Sequence, residues 1–295
     1  MWAAYEAGDV SRAEEIAEQL VAGSPDDHDT WFQTGLLAKV EGRWELCAER
    51  SERAVPLLTP RGRRSYRGEH PSAWNAGIAA TVLERWADAR RAWDVAGVGV
   101  DLGEGDGPIE ADLGLAPVRL NPEERPPTAP GGGASAVVWT RRLSPAHGRV
   151  VSIPFAETGH RYGDLVAHDG APSGTRTLDG RKVPVFDALR LIEASTTPAW
   201  EVSVEGAGPA DVEALADAVL DAGLGFDDWG GVRVLCAECS AGDPDRRGSH
   251  RHEDPPAGSG RLVIAGERDV ATALTAAWSE QRPHVVAGPP EPIRD

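Results

Sequence analysis

Cysteine is scarce in this 295-residue chain: only three occur, and Cys47 stands far in sequence from Cys236 and Cys239. Three thiols so placed make a poor disulfide framework, and the sequence predicts a reducing compartment. Long apolar runs are also missing, which excludes a membrane-spanning helix and a membrane partner. The first residues lack the charged-then-apolar order of a secretory leader, so the expected location is the cytoplasm. Basic residues are in deficit, 30 against 47 acidic, for a net charge of −17. Such a field repels phosphate backbones and excludes nucleic acid as a partner. The local exception, Arg61, Arg63, Arg64 and Arg67, reads as a solvated loop that could still touch an acidic peptide or a phosphate. The run Gly131-Gly132-Gly133 is followed by neither Lys-Ser/Thr nor an amphipathic helix, so it is not a phosphate loop.

What is present is first of all a concentration of metal-binding chemistry. Cys236-Ala-Glu-Cys239 is followed after ten residues by His250-Arg-His252. Two thiolates and two imidazoles at this range suit a tetrahedral zinc ion, and four protein ligands would make the site closed and structural. Ser240 to His252 offers only Ala241 as an apolar residue, so an ion would supply the core that the segment lacks. A redox role for the cysteine pair is disfavoured, because Ser-Ala-Gly-Asp-Pro-Asp after Cys239 reads as a turn and not as a helix start. The plain alternative is an unbound polar loop.

The first hundred residues repeat themselves. Val10, Ala13, Ala17 and Leu20 mark one helical face; Trp44, Cys47, Ser51 and Ala54 mark a second; Trp86, Ala89, Trp93 and Ala96 mark a third. Gly8 and Gly42 each precede such a face by two residues and lie 34 positions apart. Trp31, Gly35 and Ala38 predict a helix before the second face, and Trp74, Ile78 and Val82 one before the third. Residues 1–97 thereby resemble tetratricopeptide repeats, with departures: Val10 stands where an aromatic is expected, and the third copy lies 42 residues beyond the second. The resemblance implies stacked helix pairs and a concave surface that holds a protein or peptide. Cys47 reads as a buried structural thiol, and Trp93 as buried between the third pair's helices.

Residues 98–134 have linker composition, rich in glycine and proline. Beyond them, Ala136–Trp139, Arg149–Ile153, Asp164–His168 and Pro184–Phe186 read as short strands, with turns at Ser144-Pro145, Asp169-Gly170 and Asp179-Gly180. Here lies a second candidate for chemistry: His160, Asp164 and His168, two imidazoles and a carboxylate that suffice for a catalytic metal or for acid-base work. The remaining segment predicts a strand at Trp200–Val204, a helix from Pro209 to a cap at Gly223, a strand at Val232 and Val234 running into Cys236, a strand at Leu262–Ala265, and a helix over Val270–Trp278 capped by Asp269. That order fits a ferredoxin-like α+β layout over the latter part of residues 135–295.

The expected protein is thus of the α+β class: a tetratricopeptide-like array, a β-rich segment, and a ferredoxin-like domain with a zinc hairpin. The expected function is non-enzymatic, a scaffold, adaptor or regulator that binds a protein or peptide. Two alternatives stand beside it. One is a metal-dependent hydrolase using His160, Asp164 and His168; the other is a toxin-neutralising protein whose acidity masks a basic partner.

Overall fold

The computed structural model describes residues 1–123, 134–178, 180–232, 239–240, 242–244 and 259–293. The chain divides into two units: Met1–Leu113 with Leu143–His147, and Gly114–Arg142 with Gly148–Asp295. The first holds seven helices: α1 (Trp2–Glu6), α2 (Val10–Gly23), α3 (His28–Val40), α4 (Trp44–Ala54), α5 (Pro60–Ser65), α6 (Pro71–Val82) and α7 (Trp86–Ala96). They pack chiefly as pairs, α1 with α2, α3 with α4 and α6 with α7, and α4 joins the last two pairs by packing on α6.

One backbone turn closes all three pairs. Gly8, Gly42 and Glu84 take positive φ values of 80°, 68° and 58°. The next amide in each case reaches back to the helix, Asp9 to the carbonyl of Ala4 at 2.9 Å, Arg43 to Ala38 at 2.8 Å and Arg85 to Ala80 at 2.8 Å. This is the bond pattern of a helix ended by a left-handed residue. Glu84 accepts that conformation at a cost of about 1–2 kcal/mol, which glycine at the other two positions avoids.

Paired helices meet where side chains are small. A Cβ on Gly35 would stand 3.2 Å from Ser51 Oγ, and one on Gly77 would stand 2.7 Å from the Trp93 ring. Trp93 is fully buried and meets Trp74 edge to face at 5.1 Å. Cys47, Ala38, Ala48 and Ala79 form a neighbouring core cluster. Of the first predicted face, Ala13 and Ala17 are buried, whereas Val10 and Leu20 are 45% and 41% exposed. Arg50 is buried among α2, α3 and α4, where it donates to Glu14 Oε1 at 2.6 Å, Glu18 Oε1 at 2.5 Å and the Thr34 carbonyl at 3.0 Å. A buried guanidinium is tolerable only with such partners.

Two sequence expectations change here. The basic loop at 61–67 is largely helical: α5 is capped by the Thr59 hydroxyl, which accepts from the Gly62 amide, and Pro60 starts it. The segment read as linker begins as an ordered loop, because the Arg90 guanidinium donates to the carbonyls of Leu102, Gly103, Gly105, Gly107 and Pro108. Glycines there let five carbonyls crowd one cation.

The second unit opens inside the same expected linker with β1 (Leu115–Leu120), followed by β2 (Ala136–Ser144), β3 (His147–Val150), β4 (Leu165–Leu178) and β5 (Arg181–Glu193). These five strands close a barrel. β1 pairs antiparallel with β2 and parallel with β5, Val118 facing Phe186. The interior is filled by Ala116, Val118, Leu120, Val138, Val150, Val166 and Phe186. Asp169-Gly170 does not turn the chain. β4 runs on through it, with register irregularities between His168 and Gly174 that bend the strand without ending it.

A second antiparallel sheet follows, built from β6 (Ala199–Glu205), β7 (Gly225–Asp228), β8 (Ser259–Ala265), β9 (Val286–Ala287) and β10 (Glu291–Pro292), in the order β10-β6-β8-β7 with β9 also on β6. Helices α8 (Pro209–Asp221) and α9 (Arg268–Glu280) cover one face, where Val202, Val204, Leu262 and Ile264 meet Leu215, Val219, Ala271 and Trp278. Alternation along β8 puts Val263 and Ala265 on the other face, with Trp229 and Ile153. The strand expected at Val232 lies earlier, as β7, because the Asp228 side chain accepts from the Gly231 amide and turns the chain at Trp229–Gly231. Val232 itself is exposed and outside a strand, and Val234 lies outside the described residues. Glu267, not Asp269, occupies the N-cap of α9. No helix among the described residues is long and apolar enough to cross a membrane.

Replacing Trp93 by alanine is expected to destabilise the helical unit by about 3–5 kcal/mol, since it empties the largest fully buried side chain's volume against Gly77. Denaturant unfolding followed by helical circular dichroism measures it; a loss below about 1 kcal/mol would place Trp93 outside the core.

Candidate functional site

Between β3 and β4 the chain makes a short 3-10 turn, Ala156–Thr158, closed by Gly159 at φ 67°. The left-handed glycine redirects the backbone so that His160 and Asp164 come together: His160 Nδ1 lies 3.1 Å from Asp164 Oδ2. The carboxylate is fixed on its other sides by the backbone amides of Arg161 at 2.9 Å and Ser195 at 2.8 Å. Burial pushes this carboxyl's pKa up, but the bonds from His160, Ser195 and Arg161 outweigh it and hold the group below the ordinary value. An ionised Asp164 can only accept, so Nδ1 carries the proton and Nε2 holds the lone pair of the neutral ring. Nε2 makes no hydrogen bond among the described residues.

His160 stands in the wall of a cavity of about 310 Å³ formed by Ile153, Pro154, Ala156, Gly159, Arg161, Tyr162, Thr197, Ala199 and Ile293. Its floor is held by Ile153. The Ile153 amide donates to Asp227 Oδ2, and its carbonyl accepts from the Trp229 indole N–H at 2.9 Å. Burial, with a smaller contribution from the charge of Asp228, pushes Asp227 up to about 6.

His168 does not join this pair. It is fully buried, stacked on Phe186 at 5.0 Å, with Nδ1–H donating to the Asp169 carbonyl at 2.8 Å. Burial lowers its pKa to about 4, so the ring is neutral, and Nε2 is buried without a hydrogen-bond partner among the described residues. The expected trio is therefore a pair plus a barrel histidine, and among the described residues no three His, Cys, Asp or Glu side chains stand as a metal-holding group. The period of two suggested a shared face for Asp164 and His168, but Asp164 precedes β4 and its carboxylate turns back to His160.

No protein-family model and no curated protein matches the chain. One solved structure, a hypothetical protein from Neisseria gonorrhoeae, aligns over 62% of this chain and 94% of that one at 12% identity and a TM-score of 0.24, a likeness too slight to carry an argument.

Of the expected zinc ligands, Cys236, His250 and His252 lie outside the described residues. Cys239 is described: it is buried and, with Ser240, has helical backbone, which differs from the strand end and turn expected there. The residues after it are anchored on the long β4–β5 hairpin. Arg176 donates to the carbonyls of Ser240 at 2.7 Å and Gly242 at 3.0 Å, the Thr175 amide donates to Gly242 at 3.1 Å, and Lys182 pairs with Asp243. The segment thus has fixed points of its own in addition to whatever a metal would add. The donor chemistry of Cys239 fits a zinc ligand.

Sequence reasoning missed Thr197, which lines the cavity, and Asp227, which holds Ile153 in its wall; both come from distant stretches and no local spacing marks them.

Asp227 gives a pH test. Its folded pKa lies above the ordinary carboxyl value of about 3.9, so its contribution to stability is complete at lower pH and is lost as pH rises through about 4 to 6. Asp227→Asn keeps an acceptor for the Ile153 amide and cannot ionise. Urea unfolding of both proteins across that range should show the variant gaining on the parent with rising pH; parallel curves would deny the raised pKa.

Proposed function

We propose that the helical unit is a tetratricopeptide-like array that holds a protein or peptide partner, giving the chain a scaffold, adaptor or regulatory role, and that the α+β part, with a ferredoxin-like layout and a zinc-stapled excursion, serves as a second surface. The observation that carries the reading is the same closing turn at Gly8, Gly42 and Glu84. Helix pairs closed by one geometry are the mark of a repeat, and a stack of such repeats presents an extended surface suited to a partner. Val10, Leu20 and Val40 are large apolar residues exposed on that unit, at 45%, 41% and 52%. Trp31 is held half-exposed by its indole bond to the Pro25 carbonyl and by Arg53 over its ring. Tryptophan is one of the residue types that carry most of the energy in protein interfaces, and the exposed apolar residues add contact area around it. With a net charge of −17, a basic partner gains from long-range attraction, which is the condition a toxin-neutralising role would meet.

Chemical cross-linking of the full chain in a lysate of its source, read by mass spectrometry, tests this. One specific protein should cross-link mainly to residues 1–113, and Leu20→Glu with Val40→Glu should reduce its recovery at least about tenfold without unfolding the chain. Cross-links confined to residues 114–295, or recovery unchanged by the two substitutions, would refute the reading.

A further inference from the structure

We propose that the cavity beside His160 is a catalytic site for the hydrolysis of small acyl esters, with His160 as general base, an activity independent of the array. Three features carry this. First, the Asp164 carboxylate is locked by two backbone amides and fixes the imidazole with Nδ1–H toward itself, so the basic nitrogen is Nε2. That is the relation of carboxylate to imidazole that orients a catalytic base. Secondly, one part of the cavity wall is apolar, over Ile153, Pro154, Ala156, Ala199 and Ile293, with room for a short hydrocarbon chain. Thirdly, Tyr162 and Thr197 line the same space, and neither hydroxyl makes a hydrogen bond among the described residues. They are donors available to an oxyanion, and the exposed Arg161 adds a positive charge on the same wall.

No serine or cysteine is among the described residues that line the cavity, and the Thr197 and Tyr162 hydroxyls are assigned to the oxyanion, so water serves as the nucleophile. Nε2 takes one proton from a water molecule as its oxygen forms the bond to the acyl carbon, and the carbonyl oxygen becomes the oxyanion. Collapse of that intermediate restores the carbonyl and breaks the bond to the alkoxy oxygen, which leaves with the electron pair and takes the proton back from Nε2. Ester and water become acid and alcohol, and the imidazole ends neutral.

The test uses the full chain with p-nitrophenyl acetate and p-nitrophenyl butyrate as probes. The protein should release p-nitrophenol above the buffer rate, and His160→Gln should lower kcat/KM by about 100-fold or more. Because that substitution removes a partner of buried Asp164, Ala156→Leu provides a second arm: it fills the cavity and should raise KM about tenfold with kcat kept. His284→Gln, an exposed histidine on another face of the sheet unit's surface with its own partner Asp211, should change nothing. Hydrolysis no faster than buffer, equal rates in the parent and His160→Gln, an unchanged KM in Ala156→Leu, or a loss that follows His284 instead would each overturn the proposal.

Discussion

Both polar groups of the Ile153 peptide backbone are taken up by side chains from one short stretch of chain, Asp227 and Trp229. These two bonds fix the connection after β3 against the second sheet, and Phe155 and Tyr162 then pack with Trp229, Val263 and Ala265 around it. The cavity follows from that constraint. With Ile153 pinned, the turn at Ala156–Gly159 sets His160 at the wall, and the Ser195 amide closes on Asp164 from the far side. Asp227 bears the cost, since it is a carboxylate held out of water by the contact it makes.

The helical unit solves a different problem with a repeated device. A left-handed residue ends the first helix of each pair, and in the middle and last pairs a glycine facing the second helix lets the two approach. Where the middle pair sets Gly35 against Ser51, the last pair sets Gly77 against Trp93. The second arrangement buries far more apolar area in the same space, and it leaves no room for a side chain at residue 77. Arg50 has no counterpart in these apolar contacts; its bonds to Glu14, Glu18 and Thr34 tie α2, α3 and α4 by charge.

Helices were the most legible part of the sequence because a period near four, proline at a helix start and glycine at its end are all local signals. The third closing turn escaped notice because glutamate stands at residue 84, and no composition rule places glutamate at positive φ. β1 was hidden by Pro117 and by its position among glycines and prolines, although Val118 and Leu120 belong to the barrel core. The Asp169-Gly170 pair looked like a turn and is an irregularity within a 14-residue strand, a choice made by pairing with β5 and not by the dipeptide. At the site, His160 and Asp164 were legible as members of a candidate trio, but the period of two paired Asp164 with His168 and not with His160. The Ser195 amide on Asp164, the Asp227 carboxylate on Ile153, and the separation of His168 into the barrel interior depend on long-range packing that spacing does not encode.

The site depends most on Asp164 holding His160 with its proton on Nδ1 and its lone pair on Nε2. Long-range proton–nitrogen correlation NMR of histidine-labelled protein reads the tautomer directly, with His160→Gln assigning the signal. The geometry predicts that neutral His160 is the Nδ1–H form, with Nε2 at the shift of an unprotonated ring nitrogen. A neutral ring protonated on Nε2 would contradict it, because an ionised Asp164 then has no proton to accept from Nδ1 and the base at the cavity wall is lost.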